Sequence, residues 1–65
     1  MKIGQLAKAG GVILPLQVMK SAAGYYLGTA EDGFPYSRES AEYWRTSEEA
    51  EEALASGKWH QRMMP

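Results

Sequence analysis

Few residues in this chain could do chemistry. His60 is the single histidine. Nucleophilic catalysis would need it within hydrogen-bond reach of a hydroxyl, and Ser37 and Ser40 are the candidates in the polar middle of the chain. Neither serine sits in a G-x-S-x-G elbow, and the spacing of the seven glycines fits neither a phosphate loop nor a dinucleotide fingerprint. Glu48, Glu49, Glu51 and Glu52 crowd one short segment, and on a helix they read as a solvated acidic face. There is no cysteine, and one histidine builds no metal centre without several carboxylates around it. The expectation is therefore a protein that is not an enzyme, with no catalytic residue, no metal site and no cofactor.

Binding chemistry is better represented. Residues 36–45 hold Tyr36, Arg38, Tyr43, Trp44 and Arg45, the residue types over-represented in interface hot spots. Projected outward, these five make a contact patch; projected inward, they are core. Tyr25 and Tyr26 pose the same choice, because neighbours on a strand face opposite sides. Aromatics interleaved with basic residues also suit stacking on nucleic acid. Residues 1–30 carry three lysines and no acid, whereas the rest carries eight acids against four bases, for a net charge of −1. That balance lacks the basic face of a typical nucleic-acid binder. An unknown protein partner or self-association is the expected role, with a nucleic-acid-binding accessory protein as the alternative.

These residues need a scaffold, and 65 residues supply one domain at most. Residues 1–62 read as that domain and 63–65 as a frayed tail. Apolar residues at 45% and charged residues at 23% mark a folded chain. A domain this small buries only about 60% of its unfolded surface, so a homodimer is one expected route to stability. No apolar run reaches the roughly 18–20 residues of a membrane span. Without cysteine or a signal-peptide core, the expected location is the cytoplasm.

The clearest element is a helix over Ser47–Ser56. Thr46 suits its N-cap and Glu49 completes a capping box. Ala50, Ala53 and Leu54 form a narrow apolar stripe, and Gly57 suits a left-handed C-terminal residue. Small alanines on that stripe imply close packing on a sheet. Residues 24–29 read as an aromatic strand, Glu31-Asp32-Gly33 as a tight turn, and residues 36–40 as a returning strand that can run on to Tyr43-Trp44. Leu14, Leu16 and Val18 share one parity in an earlier strand, and Pro15 places it at an edge. Trp59, just beyond the helix, can fold back over the core. Residues 2–6 suit either a strand or a short helix; the strand is preferred, because Gly4 weakens a helix by about 1 kcal/mol relative to Ala. The fold class is α+β: a three- to four-stranded antiparallel sheet with one C-terminal amphipathic helix packed on it.

Three resemblances accompany this reading. Gly24-Tyr25-Tyr26-Leu27-Gly28-Thr29, Ser37-Arg38-Glu39-Ser40, Tyr43-Trp44 and the glutamate-rich run to Leu54 resemble short uncharacterised bacterial proteins, which implies a fold-sized unit and no particular activity. A three-stranded sheet followed by a helix that starts Thr46-Ser47-Glu48-Glu49 is similar to the small DNA-binding domains of phage-type integrases, which are usually basic where this segment is acidic. Residues 1–12, from Met1-Lys2-Ile3-Gly4-Gln5-Leu6 to Val12, resemble the opening of a MerR-type regulator. The likeness ends at Ile13-Leu14-Pro15-Leu16-Gln17, where that family's recognition helix would begin.

Overall fold

The computed structural model describes residues 2–64. Its elements are α1 (Gln5–Ala9), β1 (Gln17–Ser21), β2 (Gly24–Glu31), β3 (Phe34–Arg38) and α2 (Ser47–Ser56). The strands form one antiparallel sheet in the order β1-β2-β3. The fold is α+β as expected, with three strands rather than four.

Local chemistry explains the second hairpin. Glu31 pairs with Phe34 across Asp32 and Gly33, whose φ values of 53° and 83° match the twist of the strands they join. One irregularity follows at once. Thr29 pairs with Ser37 but Ala30 with Pro35, so Tyr36 bulges out of the ladder. Pro35, which lacks an N–H, sits on an edge strand, where proline is tolerated.

β3 does not run straight on to Tyr43-Trp44. The backbone N–H groups of Glu39 and Ser40 both donate to the Leu27 carbonyl, at 2.8 and 3.0 Å. Ser40 Oγ accepts the Leu27 N–H at 3.0 Å, standing in for a backbone carbonyl. The chain bows out over residues 41–43 and returns as a single bridge, in which Trp44 and Tyr25 exchange two hydrogen bonds of 2.8 and 2.9 Å.

α2 spans the expected residues. Thr46 Oγ1 accepts the Glu49 N–H at 3.1 Å, and Gly57 takes φ 76°. The Glu49 carboxylate takes the Thr46 hydroxyl, at 3.2 Å, rather than a backbone N–H. Ala50 and Ala53 are buried, and α2 packs on β1 and β2. The preferred strand at residues 2–6 is overturned: α1 begins at Gln5, and of the expected strand only Ile3 bridges, to Pro15. Gly4 is the N-cap of α1, where glycine is tolerated, so the penalty of an interior glycine does not arise. The apolar core is small (Ala7, Tyr26, Leu27, Ala50 and Ala53), and three polar residues, Thr29, Glu39 and Ser40, are buried with it.

The C-terminal segment is tied down as far as Arg62. Ala41 donates to the His60 carbonyl at 2.8 Å, and Arg62 donates to the Glu39 carbonyl at 2.7 Å. Met63 and Met64 are exposed; Pro65, the last residue of the expected tail, lies outside the described residues, as does Met1.

Candidate functional site

The two faces of the sheet differ. Tyr25, Leu27 and Thr29 share one face by strand alternation. Trp44, the bridge partner of Tyr25, borders a hollow lined by Glu49, Glu52 and Ala53 of α2. Tyr26, Gly28 and Ala30 point the other way. Arg38 pairs with Gly28 and shares that second face.

There the guanidinium carbon of Arg38 lies 4.7 Å from the centroid of the Tyr43 ring. Tyr43 in turn meets Tyr26 edge to face, with centroids 5.9 Å apart and planes at 72°. Tyr26 is buried at 7% exposure, while Tyr43 remains 41% exposed. The result is a tiered stack: a buried ring holds a half-exposed ring, which holds a cation. In an unbroken strand Arg38 and Tyr43 would have opposite parity and face apart. The bow between them brings both to one side.

The other residues of the expected patch lie elsewhere. The bulged Tyr36, 44% exposed, places its hydroxyl beside Gly10 at the end of α1. Trp44 is half-buried next to α2, and Arg45 is exposed just before the Thr46 cap.

Among the described residues His60 makes no hydrogen bond to either serine hydroxyl. Its ring is 88% exposed, and Nδ1 lies 2.5 Å from Glu42 Oε2. Burial raises the Glu42 pKa, but hydrogen bonds from the His60 ring and the His60 backbone N–H outweigh it and hold the group below the usual carboxylate value. The four glutamates of α2 are exposed. Among the described residues no three His, Asp or Glu side chains gather as a metal site.

A polar cluster that sequence reasoning missed lies beneath the sheet edge. Glu39 is fully buried. It accepts the N–H groups of Leu6 and Ala7 at 2.8 and 3.1 Å, the Ser37 hydroxyl at 2.6 Å and the Gln61 side-chain amide at 2.8 Å. With the Ser37 proton directed at Glu39, Thr29 Oγ1 donates to Ser37 Oγ across 2.6 Å. Burial pushes the Glu39 pKa up; the Leu6 N–H, then Ser37, Gln61 and Ala7, more than reverse this, so the pKa lies below the usual carboxylate value. The one hint in the sequence is an acid flanked by small hydroxyl residues, Ser37 and Ser40. The packing leaves no room for a side chain opposite: a Cβ on Gly4 would stand 2.5 Å from Thr29 Cγ2 and 2.6 Å from Glu39 Oε2.

Comparisons with protein-family models, with curated proteins and with solved structures find no match. No helix among the described residues is long and apolar enough to cross a membrane.

Proposed function

We propose that this domain is a non-enzymatic protein-interaction module and that Arg38 and Tyr43 are its principal contact residues. The observation that carries the reading is the stack itself. Tyr43 is held by the buried Tyr26 ring and Arg38 by Tyr43, so two hot-spot residue types are fixed in place while still half accessible. Prior ordering lowers the entropy lost when a partner docks. An unknown protein or a second copy of the chain fits this surface.

The nucleic-acid alternative draws less support. Lys20 lies over Tyr25, 5.5 Å from its centroid, on the face opposite Arg38. Lys2 turns its ammonium to the Leu54 carbonyl. These cations are committed to separate contacts rather than aligned as a phosphate-tracking stripe.

Photo-crosslinking tests the reading. Met19 pairs with Tyr26 across the sheet and shares its face. A crosslinking amino acid at Met19, in the full chain in host cells, should give a discrete adduct that is lost in the Arg38→Ala/Tyr43→Ala variant. The same probe at Glu51 on α2 should give none. An adduct of twice the chain mass identifies self-association. Crosslinking that is equal at the two positions, or indifferent to the double substitution, contradicts the reading.

A further inference from the structure

A second feature, which shares only Arg38 with the Arg38–Tyr43 stack, lies where α1, β3 and the C-terminal segment meet. A cavity of about 310 Å³ opens there, lined by Leu6, Gly10, Tyr36, Ser37, Arg38 and Arg62. That volume is at the lower end of the range of small-molecule sites, roughly 300–1,000 Å³. We propose that it binds a small organic monocarboxylate with an apolar body.

The polar groups of the cavity favour an anion. Arg62 Nη1 donates to the Arg38 carbonyl at 3.2 Å, which fixes the guanidinium on the wall. Among the described residues its remaining N–H groups have no hydrogen-bond partner, and no carboxylate stands within ion-pair distance. A planar fork with free donors matches a carboxylate with two parallel bonds. The Tyr36 hydroxyl likewise makes no hydrogen bond among the described residues. Gly10 keeps the space beside it open: a Cβ there would come within 3.2 Å of Tyr36 Oη.

Charge selects the class of anion. Arg38 and Arg62 border the cavity, and the Arg38 guanidinium itself leans over Tyr43. Beneath the floor lies the Glu39 carboxylate, bonded to the lining residue Ser37. Two cations and one buried anion leave a single positive charge to be balanced. A monocarboxylate balances it, whereas a phosphate dianion would leave a net negative charge. The Leu6 side chain and the Tyr36 ring supply the apolar wall for the body of the ligand. If the two guanidinium groups served only to offset Glu39, the cavity would show no preference among ligands.

NMR titration of the full chain distinguishes these outcomes, with 3-phenylpropionate, the neutral 3-phenylpropanol and inorganic phosphate as separate arms. The propionate should shift the amides of Leu6, Gly10, Tyr36 and Arg62 saturably, with a Kd below about 10 mM. The alcohol and phosphate should bind at least about tenfold more weakly. Arg62→Gln should weaken the propionate by a similar factor. Gly10→Leu, at a position whose φ of −83° accepts any side chain, should fill the cavity and abolish the shifts while the spectrum stays dispersed. This variant keeps the test decisive if Arg62→Gln fails to fold. No saturable shift up to about 50 mM, equal shifts from the three compounds, or undiminished binding in Gly10→Leu would each overturn the proposal.

Discussion

Glu39 Oε1 accepts the backbone N–H of Leu6 at 2.8 Å, across 33 positions of sequence. The first N–H groups of a helix need acceptors, and Gly4 at the cap of α1 has no side chain to offer one. The carboxylate that follows β3 takes that role, and Gln61 closes the same cluster from the C-terminal side. One buried acid thereby joins the N-terminal helix, the sheet edge and the end of the chain.

Replacing Glu39 with Gln should therefore cost more than a typical surface change. The amide would turn an NH2 group toward N–H and O–H donors that now meet a carboxylate oxygen. Hydrogen bonds to charged groups contribute about 1.5–3 kcal/mol, and a loss of about 2–3 kcal/mol is expected by urea denaturation. In a domain of this size that lowers the Tm by on the order of 10 °C. The amides of Leu6 and Ala7 should lose exchange protection first.

Acid should destabilise the protein through the same residue. Glu39 and Glu42 both have folded-state pKa values below the usual carboxylate value. In the unfolded chain they titrate near ~4.3. Their stabilisation is thus fully present well above that pH and disappears as the pH falls through the lower folded values. Denaturation free energies between about pH 6 and pH 2 should decline with acid, and the decline should be shallower in Glu39→Gln.

Gly4→Ala should destabilise the chain, although alanine is the better helix former. The added methyl group would sit 2.5 Å from Thr29 Cγ2, inside a packed region. Overpacking of this kind costs about 1–3 kcal/mol, more than a cap position gains from propensity. Thermal denaturation beside the wild type reads the sign directly.

Thr46→Ala should cost about 1 kcal/mol through loss of the Glu49 N–H acceptor. The effect should stay local, with exchange in α2 accelerated and the Leu6 and Ala7 amides unchanged. Hydrogen exchange resolved by NMR separates this pattern from that of Glu39→Gln.

The contrast between the two helices shows what the sequence could reveal. Thr46, Glu49, Ala50, Ala53 and Gly57 state the start, buried side and end of α2 within one short stretch. Asp32-Gly33 states its turn in two residues. α1 carries no such local message, because its acceptor stands at residue 39 and becomes adjacent only once the sheet has formed. The same holds for the candidate site. Residue types at 36–45 suit either a contact patch or the core, and the contact between Arg38 and Tyr43 depends on the chain leaving the strand at Ser40, whose Oγ replaces a backbone acceptor, and bowing out. In an unbroken strand those two side chains would face apart.

The most direct measurement of the interaction reading is an NMR spectrum of the labelled full chain in host extract. Binding through the stack predicts broadening at Met19, Tyr26, Gly28, Arg38 and Tyr43, with the amides of α2 left sharp and the pattern lost in Arg38→Ala/Tyr43→Ala. Broadening centred on the glutamates of α2, or a spectrum indistinguishable from that in buffer, would contradict it.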